Sequence, residues 1–180
     1  LAWIPSFLNR YYDMPVHGAG LLAGIFMLIS GSGMILCGML SDRLCHHRPE
    51  HKLTLAIAYC LTSCVLLSVG FRLSAGLSQL VLTAAGMFLT AGTTGPVGAT
   101  VASLTYAPIH GTAFAILTLI NNLLGMAPGP LVTGALADQI GLRAALTLVP
   151  LISIIAALIF LYARQHYKQD LEKVRSLDVE

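Results

Sequence analysis

Long stretches without any charged side chain constrain this sequence more than any other feature. Asp, Glu, Lys and Arg are all absent from residues 14–41, 53–71, 73–137 and 144–163. Only 10% of the residues are charged and the mean hydropathy is +0.80, whereas about a quarter of the residues of a soluble domain are charged. A helix needs about 20 apolar residues to cross a bilayer. The sequence therefore predicts an all-α, polytopic membrane protein.

The longest charge-free run, residues 73–137, is too long for one helix and must be divided. Its middle is polar and contains Pro108, which favours a break within residues 105–111. We therefore expect residues 13–163 to hold five transmembrane helices, near residues 17–40, 53–71, 76–102, 112–136 and 144–163. The apolar part of residues 1–12 is too short to cross a bilayer, so we interpret it as the end of a truncated transmembrane helix.

The positions of the Lys and Arg residues predict the orientation, because cytoplasmic loops carry an excess of them. If the loop after Asp42 is cytoplasmic, seven of the ten Lys and Arg residues lie on that side, in this loop and in residues 164–180. Arg10, Arg72 and Arg143 fall on the other side. We expect a multi-pass protein of the plasma (inner) membrane with a cytoplasmic C-terminal tail. The net charge of +2 is then a sign of topology, and no nucleic-acid partner is expected.

Small residues and prolines interrupt two of the predicted spans. Small residues spaced four apart let helices approach closely in lipid, and proline inside a helix removes a backbone donor and kinks it. The candidate hinge or packing residues are Gly95, Pro96, Gly125, Pro128, Gly129, Pro130 and Gly134; Gly20 and Gly24 show the same four-residue spacing. The kinks are interpreted either as moving parts or as structural accommodations, since neighbouring groups can satisfy the freed carbonyls.

Polar residues at mid-membrane depth are the candidates for contact with a solute, because such groups are costly in lipid unless they face a cavity or a partner. The candidates for the substrate path are Thr93, Thr94, Asn121 and Asn122. The alternative is that each forms a hydrogen bond between helices. We expect Arg72 and Gln79 to lie near the outer surface, at most in a vestibule.

The sequence shows no arrangement typical of an enzyme, a metal site or a cofactor site. Ser and Thr are plentiful, but no base and orienting group converge on one of them, so we expect a protein that is not an enzyme. Cys45, His46 and His47 lie together in one loop, yet adjacent histidines cannot easily bind one ion with good geometry. Neither metal nor cofactor is expected, and the cysteines are not expected to form disulfides.

Three segments carry a resemblance to a known family. They are WIPSFLNR at residues 3–10, GMLSDRLCHHR at residues 38–48, and NNLLG at residues 121–125, which is followed by Gly129, Pro130, Gly134 and Asp138. The loop pattern Gly-x-Leu-x-Asp-Arg has a weaker echo at residues 134–138. Together these segments resemble the C-terminal half of a major facilitator superfamily transporter, over essentially the whole chain.

The resemblance implies a carrier of two six-helix halves, in which this chain supplies helices seven to twelve as two inverted three-helix repeats. It also implies a missing N-terminal half, a small-molecule solute and, in a symporter or antiporter, a coupling ion. In the loop, Asp42 would cap a neighbouring helix and pair with an arginine. The implied cytoplasmic latch comprises Gly38, Asp42, Arg43 and Arg48. The alternatives are a half-size transporter that acts as a homodimer and a membrane scaffold that transports nothing.

Overall fold

The computed structural model describes residues 2–45 and 50–177, and within them the regular structure is entirely helical. The α-helices are α1 (Ile4–Tyr11), α2 (Val16–Leu44), α3 (His51–Arg72), α4 (Leu77–Gly92), α5 (Thr94–Ser103), α6 (His110–Asn121), α7 (Pro128–Ile140), α8 (Leu142–Leu148) and α9 (Ile152–Leu177). A π-helical segment, Asn122–Met126, joins α6 to α7. Two short 3₁₀ turns, Ala107–Ile109 and Val149–Leu151, precede α6 and α9.

Five continuous helical stretches are long and apolar enough to cross a membrane within the described residues. They run over Val16–Leu44, His51–Arg72, Leu77–Ser103, Ala107–Ile140 and Leu142–Val174. Each overlaps one of the five predicted ranges. The predicted all-α, polytopic class is confirmed, whereas the division of the chain into domains and the inverted repeats stay predictions.

Backbone conformation explains where several helices begin and end. Gly141 has a φ of +86° and ends α7, a conformation that glycine adopts at little cost. Asp13 also has a positive φ, of 49°, in the turn between α1 and α2, and Asp is among the few residues that tolerate it. Pro128 occupies the first turn of α7, where the missing N–H costs least.

Helix α1 packs inside the bundle although it is only eight residues long. Ile4, Phe7 and Leu8 are all buried, and the Phe7 ring meets the Phe71 ring edge to face with centroids 5.3 Å apart. The hydrophobic core, which also includes Phe26 and Met87, therefore joins α1, α2, α3 and α4. Helix α1 is therefore part of this core.

Candidate latch, helix breaks and exposed polar face

The latch residue Asp42 lies in the last turn of α2 and forms an ion pair with Lys52 in the first turn of α3, with Oδ1 and Nζ 2.7 Å apart. The resemblance implied an arginine partner and a helix cap. Among the described residues the partner of Asp42 is Lys52, and the N-terminus of α3 has no side-chain cap hydrogen bond. The short connection brings the two helix ends together, which places Lys52 within reach, while Arg43 is exposed. Arg48 lies outside the described residues.

This ion pair is partly open to solvent, since the Asp42 side chain is 69% exposed and the Lys52 side chain 20%. Exposed pairs contribute about 0–1 kcal/mol. Next to it, Cys45 is buried. Burial raises the pKa of the Cys45 thiol above its ordinary value, and the nearby Lys52 ammonium offsets this only in part. At about 0–1 kcal/mol, the Asp42–Lys52 ion pair is weak enough to open and close.

Gly38 lies at a very close crossing between α2 and the α4–α5 stretch. A Cβ on Gly95 would lie 2.9 Å from the Gly38 Cα, and a Cβ on Gly92 would lie 2.7 Å from the Cys37 Cβ. No side chain fits at such distances, so the two backbones are almost in contact. The close helix approach expected at Gly38 is thus present, and Gly95 lies at a packing position.

The α4–α5 stretch is broken at Thr93, three residues before Pro96. Pro96 has no N–H to donate to the Gly92 carbonyl, so the regular hydrogen-bond ladder stops at that turn. The Thr93 hydroxyl donates to the Thr90 carbonyl of its own helix at 2.8 Å. Thr94 is exposed, whereas Pro96 is buried. The helix is therefore interrupted next to Gly95 and Pro96, whereas a hinge at these residues stays a prediction.

The Ala107–Ile140 stretch is irregular at mid-length. The Ala127 N–H donates to the Asn122 carbonyl at 2.9 Å, a bond between residues five apart that defines the π-helical turn. Single π-helical turns within α-helices are often found at functional sites. Asn121 and Asn122 are both exposed there, and the hydrogen bonds among the described residues include none from their side chains. The alternative of a hydrogen bond between helices is not met within the described part of this chain.

The proline and glycine candidates of this stretch have different surroundings. The Trp3 indole N–H donates to the Pro130 carbonyl at 3.0 Å, and a Cβ on Gly134 would lie 2.8 Å from the Trp3 ring. Gly134 is therefore a packing residue under Trp3. A Cβ on Gly129 would meet nothing within 4 Å, and one on Gly125 would meet only the Asn121 side chain of the same helix. The same open space surrounds Gly20 and Gly24.

Sequence reasoning missed a hydrogen-bond network at the end of the bundle away from Asp42. Arg143 donates from Nε to the Phe71 carbonyl at 2.9 Å and from Nη2 to the carbonyls of Arg72 and Leu73 at 2.6 and 2.5 Å. These carbonyls lie at the C-terminus of α3, where helix carbonyls have no partner within the helix. The positive guanidinium also suits the negative end of the helix dipole.

Gln79 belongs to the same network and is no vestibule residue. Its side chain is buried, and Nε2 donates to the carbonyls of Gly70 and Leu73 at 3.1 and 3.0 Å. Tyr12 donates its hydroxyl hydrogen to Gln79 Oε1 at 2.8 Å and accepts from the Gly76 N–H at 3.0 Å. The signal in the sequence was the polar Gln79 within an apolar run. Its role depends on its hydrogen bond with Tyr12, which is distant in the sequence.

The C-terminal tail is helical and contacts the rest of the bundle. Helix α9 continues to Leu177, and Tyr167 is buried with its hydroxyl 3.0 Å from the Ser103 hydroxyl at the end of α5. Ser103 donates to the Thr100 carbonyl at 3.0 Å, so Tyr167 is the donor to Ser103. Lys168 pairs with Glu50 at 3.1 Å. The tail therefore links α9 to α5 and to the segment before α3.

These features define a class: an all-helical, multi-pass membrane protein in which two of the five long apolar helices are broken near mid-length. The family model of the Major Facilitator Superfamily matches residues 1–177. The chain belongs to the Major Facilitator Superfamily and is a membrane transporter. Searches of curated proteins and of solved structures gave no match. The predicted family is confirmed, and a transporter of a small solute in a bilayer follows from it.

Proposed function

We propose that this chain is the C-terminal half, helices seven to twelve, of a secondary carrier that moves a small solute by alternating access. The partner in this proposal is an N-terminal six-helix half, and the solute passes between the two halves. The protein lies in the plasma (inner) membrane with its C-terminus in the cytoplasm. A coupling ion accompanies the solute if the carrier is a symporter or antiporter.

The observation that carries the proposal is the exposure of the Ala107–Ile140 stretch. None of the residues in its most apolar window is buried against the rest of the described chain. It nevertheless carries Asn121 and Asn122 and a π-helical turn followed by two prolines. Irregular backbone at membrane depth is tolerated only where it meets protein or a water-filled cavity. Lipid is therefore a poor neighbour for this face, and a cavity shared with another half suits it.

The candidate path residues take distinct roles in this proposal. Asn121 and Asn122 offer amide donors and acceptors to the solute, since they have no side-chain partner within the described chain. Thr94 is exposed and offers its hydroxyl. The Thr93 hydroxyl is engaged within its own helix, so its contribution is the break in the helix. All four groups are uncharged, which suits recognition of a polar solute by hydrogen bonds.

The latch and the helix breaks supply the movement. The Asp42–Lys52 pair joins α2 to α3, and Gly38 lets α2 lie against the broken α4–α5 stretch. In the proposal, Gly38, Asp42, Arg43 and Arg48 form the cytoplasmic latch. Hinge bending occurs at Gly95 and Pro96 and within residues 125–130, where Gly125, Pro128, Gly129 and Pro130 interrupt the helix. Gly134 stays fixed under Trp3.

Uptake by the intact protein tests the latch. Cells that express the full reading frame are screened with a panel of radiolabelled solutes, and the transported solute is used to compare variants. Asp42→Asn is expected to reduce uptake at normal expression, and the charge-exchanged double variant Asp42→Lys with Lys52→Asp is expected to restore part of it. Asp170→Asn, which removes another exposed carboxylate that is paired with lysine, is the control.

Unchanged uptake in Asp42→Asn would contradict the latch role. Transport by residues 1–180 alone, as a dimer, would support the half-size alternative and remove the need for an N-terminal half. A folded protein that transports none of the solutes under any condition would favour the scaffold alternative.

A further inference from the structure

A groove of about 600 Å³ lies at the end of the bundle away from Asp42, where α3 and α7 end and α8 begins. Its lining includes Tyr11, Phe71, Arg72, Ile140, Arg143 and Leu148. Helix ends of this kind lie at the level of lipid headgroups when the helices span the bilayer. The groove therefore lies where a lipid could enter it.

The polar side of the groove offers hydrogen-bond donors. Arg143 uses Nε and Nη2 for the α3 carbonyls, and the hydrogen bonds among the described residues leave both N–H groups of Nη1 free. Arg72 is exposed. The Tyr11 hydroxyl accepts from the Arg143 backbone N–H at 3.3 Å, so its own hydrogen is free to be donated. The described lining residues include no carboxylate.

The position of the Arg143 charge is fixed before any ligand arrives. Three carbonyls hold its guanidinium, so little side-chain entropy is lost when an anion binds. Arg72 adds a second positive charge from the adjacent end of α3. Two cations in a groove whose described lining has no carboxylate favour a ligand with a net negative charge, and guanidinium groups match the geometry of phosphate.

The other side of the groove is apolar. Ile140 and Leu148 are 45% and 43% exposed, and both line the groove beside the buried Phe71 ring. An acyl chain laid along these side chains would cover apolar surface that otherwise has no partner within the described chain. The combination of cations, a phenol and an apolar wall matches an amphiphile with an anionic head.

We propose that this groove is a binding site for an anionic phospholipid. The phosphate accepts hydrogen bonds from Arg72, Arg143 and Tyr11, and an acyl chain lies against Ile140 and Leu148. The site is separate from the proposed solute path, which uses Asn121 and Asn122 near the middle of the Ala107–Ile140 stretch, whereas the groove meets only the end of that stretch, at Ile140. Lipid binding in this groove does not depend on the transport activity.

Native mass spectrometry of the intact protein tests the site, with phosphatidylglycerol and phosphatidylcholine added to the delipidated sample. Wild-type protein is expected to retain phosphatidylglycerol in preference to phosphatidylcholine. Arg72→Gln is expected to weaken phosphatidylglycerol binding about fivefold, the effect of one basic residue near a lipid surface. The matched control is Arg10→Gln, which removes an exposed charge from the end of α1, outside the groove lining.

A second variant keeps the charge and fills the space. Ala144 lines the groove and is exposed, so Ala144→Trp is expected to exclude the lipid as effectively as Arg72→Gln. Equal losses in Arg72→Gln and Arg10→Gln would overturn the proposal, because general surface charge would then explain the binding. Equal binding of the two lipids, or displacement of phosphatidylglycerol by millimolar inorganic phosphate, would overturn it as well.

Discussion

Replacement of Arg143 provides the sharpest test of how the bundle is held together. Arg143→Gln removes the charge that three carbonyls at the C-terminus of α3 share, at distances of 2.5 to 2.9 Å. A hydrogen bond to a charged group contributes about 1.5–3 kcal/mol, but the side chain is only half-buried and part of each bond would be replaced by water. After this discount, we expect a loss of about 2–4 kcal/mol from the three bonds together.

The assay is thermal unfolding of the intact protein in a detergent without added phospholipid. A loss of this size is expected to lower the midpoint by about 4–16 °C, from the roughly 2–4 °C per kcal/mol typical of domains of 150–250 residues. Arg143→Lys should lie between wild type and Arg143→Gln, because an ammonium cannot reproduce the planar fork. The matched control is Arg72→Gln at the same end of the bundle, which is exposed and expected to change stability by less than about 0.5 kcal/mol. Equal midpoints for Arg143→Gln and Arg72→Gln would refute the role assigned to Arg143.

Three further predictions concern other parts of the chain. Gly95→Ala is expected to lower thermal stability, because the new Cβ would lie 2.9 Å from the α2 backbone. Gly24→Ala places its Cβ in open space and is expected to raise stability by up to about 1 kcal/mol. Equal unfolding midpoints for the two variants would contradict the close crossing. Cys45 is expected to react with maleimide at pH 8 far more slowly in the folded protein than in the urea-unfolded protein. Burial raises the pKa of its thiol, so less of it is present as the reactive thiolate. Equal reaction rates in the two states would contradict the burial of Cys45. Tyr167→Phe removes a hydroxyl bonded at 3.0 Å and is expected to cost about 0.5–1.5 kcal/mol, while Tyr162→Phe, 66% exposed on the same helix, should change nothing measurable by thermal unfolding.

The fold class could be predicted because bilayer insertion imposes a pattern that is local in the sequence. A charge-free run such as residues 53–71 is long enough to cross a bilayer, and the corresponding helix in the structure is His51–Arg72. Proline acts through its own missing N–H, so the interruption near Pro96 was also visible. These properties depend on a residue and its immediate neighbours.

The hydrogen-bond networks could not be predicted, because they join residues that are far apart in the sequence. Arg143 donates to carbonyls 70 to 72 residues away in the sequence. Only the packing of α8 brings its side chain to the C-terminus of α3. Gln79 was interpreted as a vestibule residue because one of its partners, Tyr12, is likewise distant in the sequence. The lysine partner of Asp42 was also missed, because the resemblance pointed to an arginine, whereas the short connection between α2 and α3 places Lys52 within reach.

The small-residue patterns show the limit of spacing alone. Gly20 and Gly24 repeat every four residues as Gly125 and Gly129 do, yet no other helix approaches them within the described chain. The close crossing occurs instead at Gly38 and Gly95. Spacing identifies a face that can pack, but only the arrangement of the helices decides which face has a partner.

The measurement that most directly tests the central claim is the accessibility of a cysteine placed at Asn122 in the intact protein. Background labelling from this chain should be low, because its four native cysteines are buried. Right-side-out and inside-out vesicles are treated with a membrane-impermeant maleimide, and Leu158→Cys, at an apolar position of α9 that is 60% exposed, is the control. If Asn122 lies in a path with alternating access, Asn122→Cys will be labelled from both sides and the transported solute will slow the reaction, while Leu158→Cys stays unlabelled. If Asn122→Cys is labelled from neither side, the residue faces lipid or packed protein, and the proposed path is wrong.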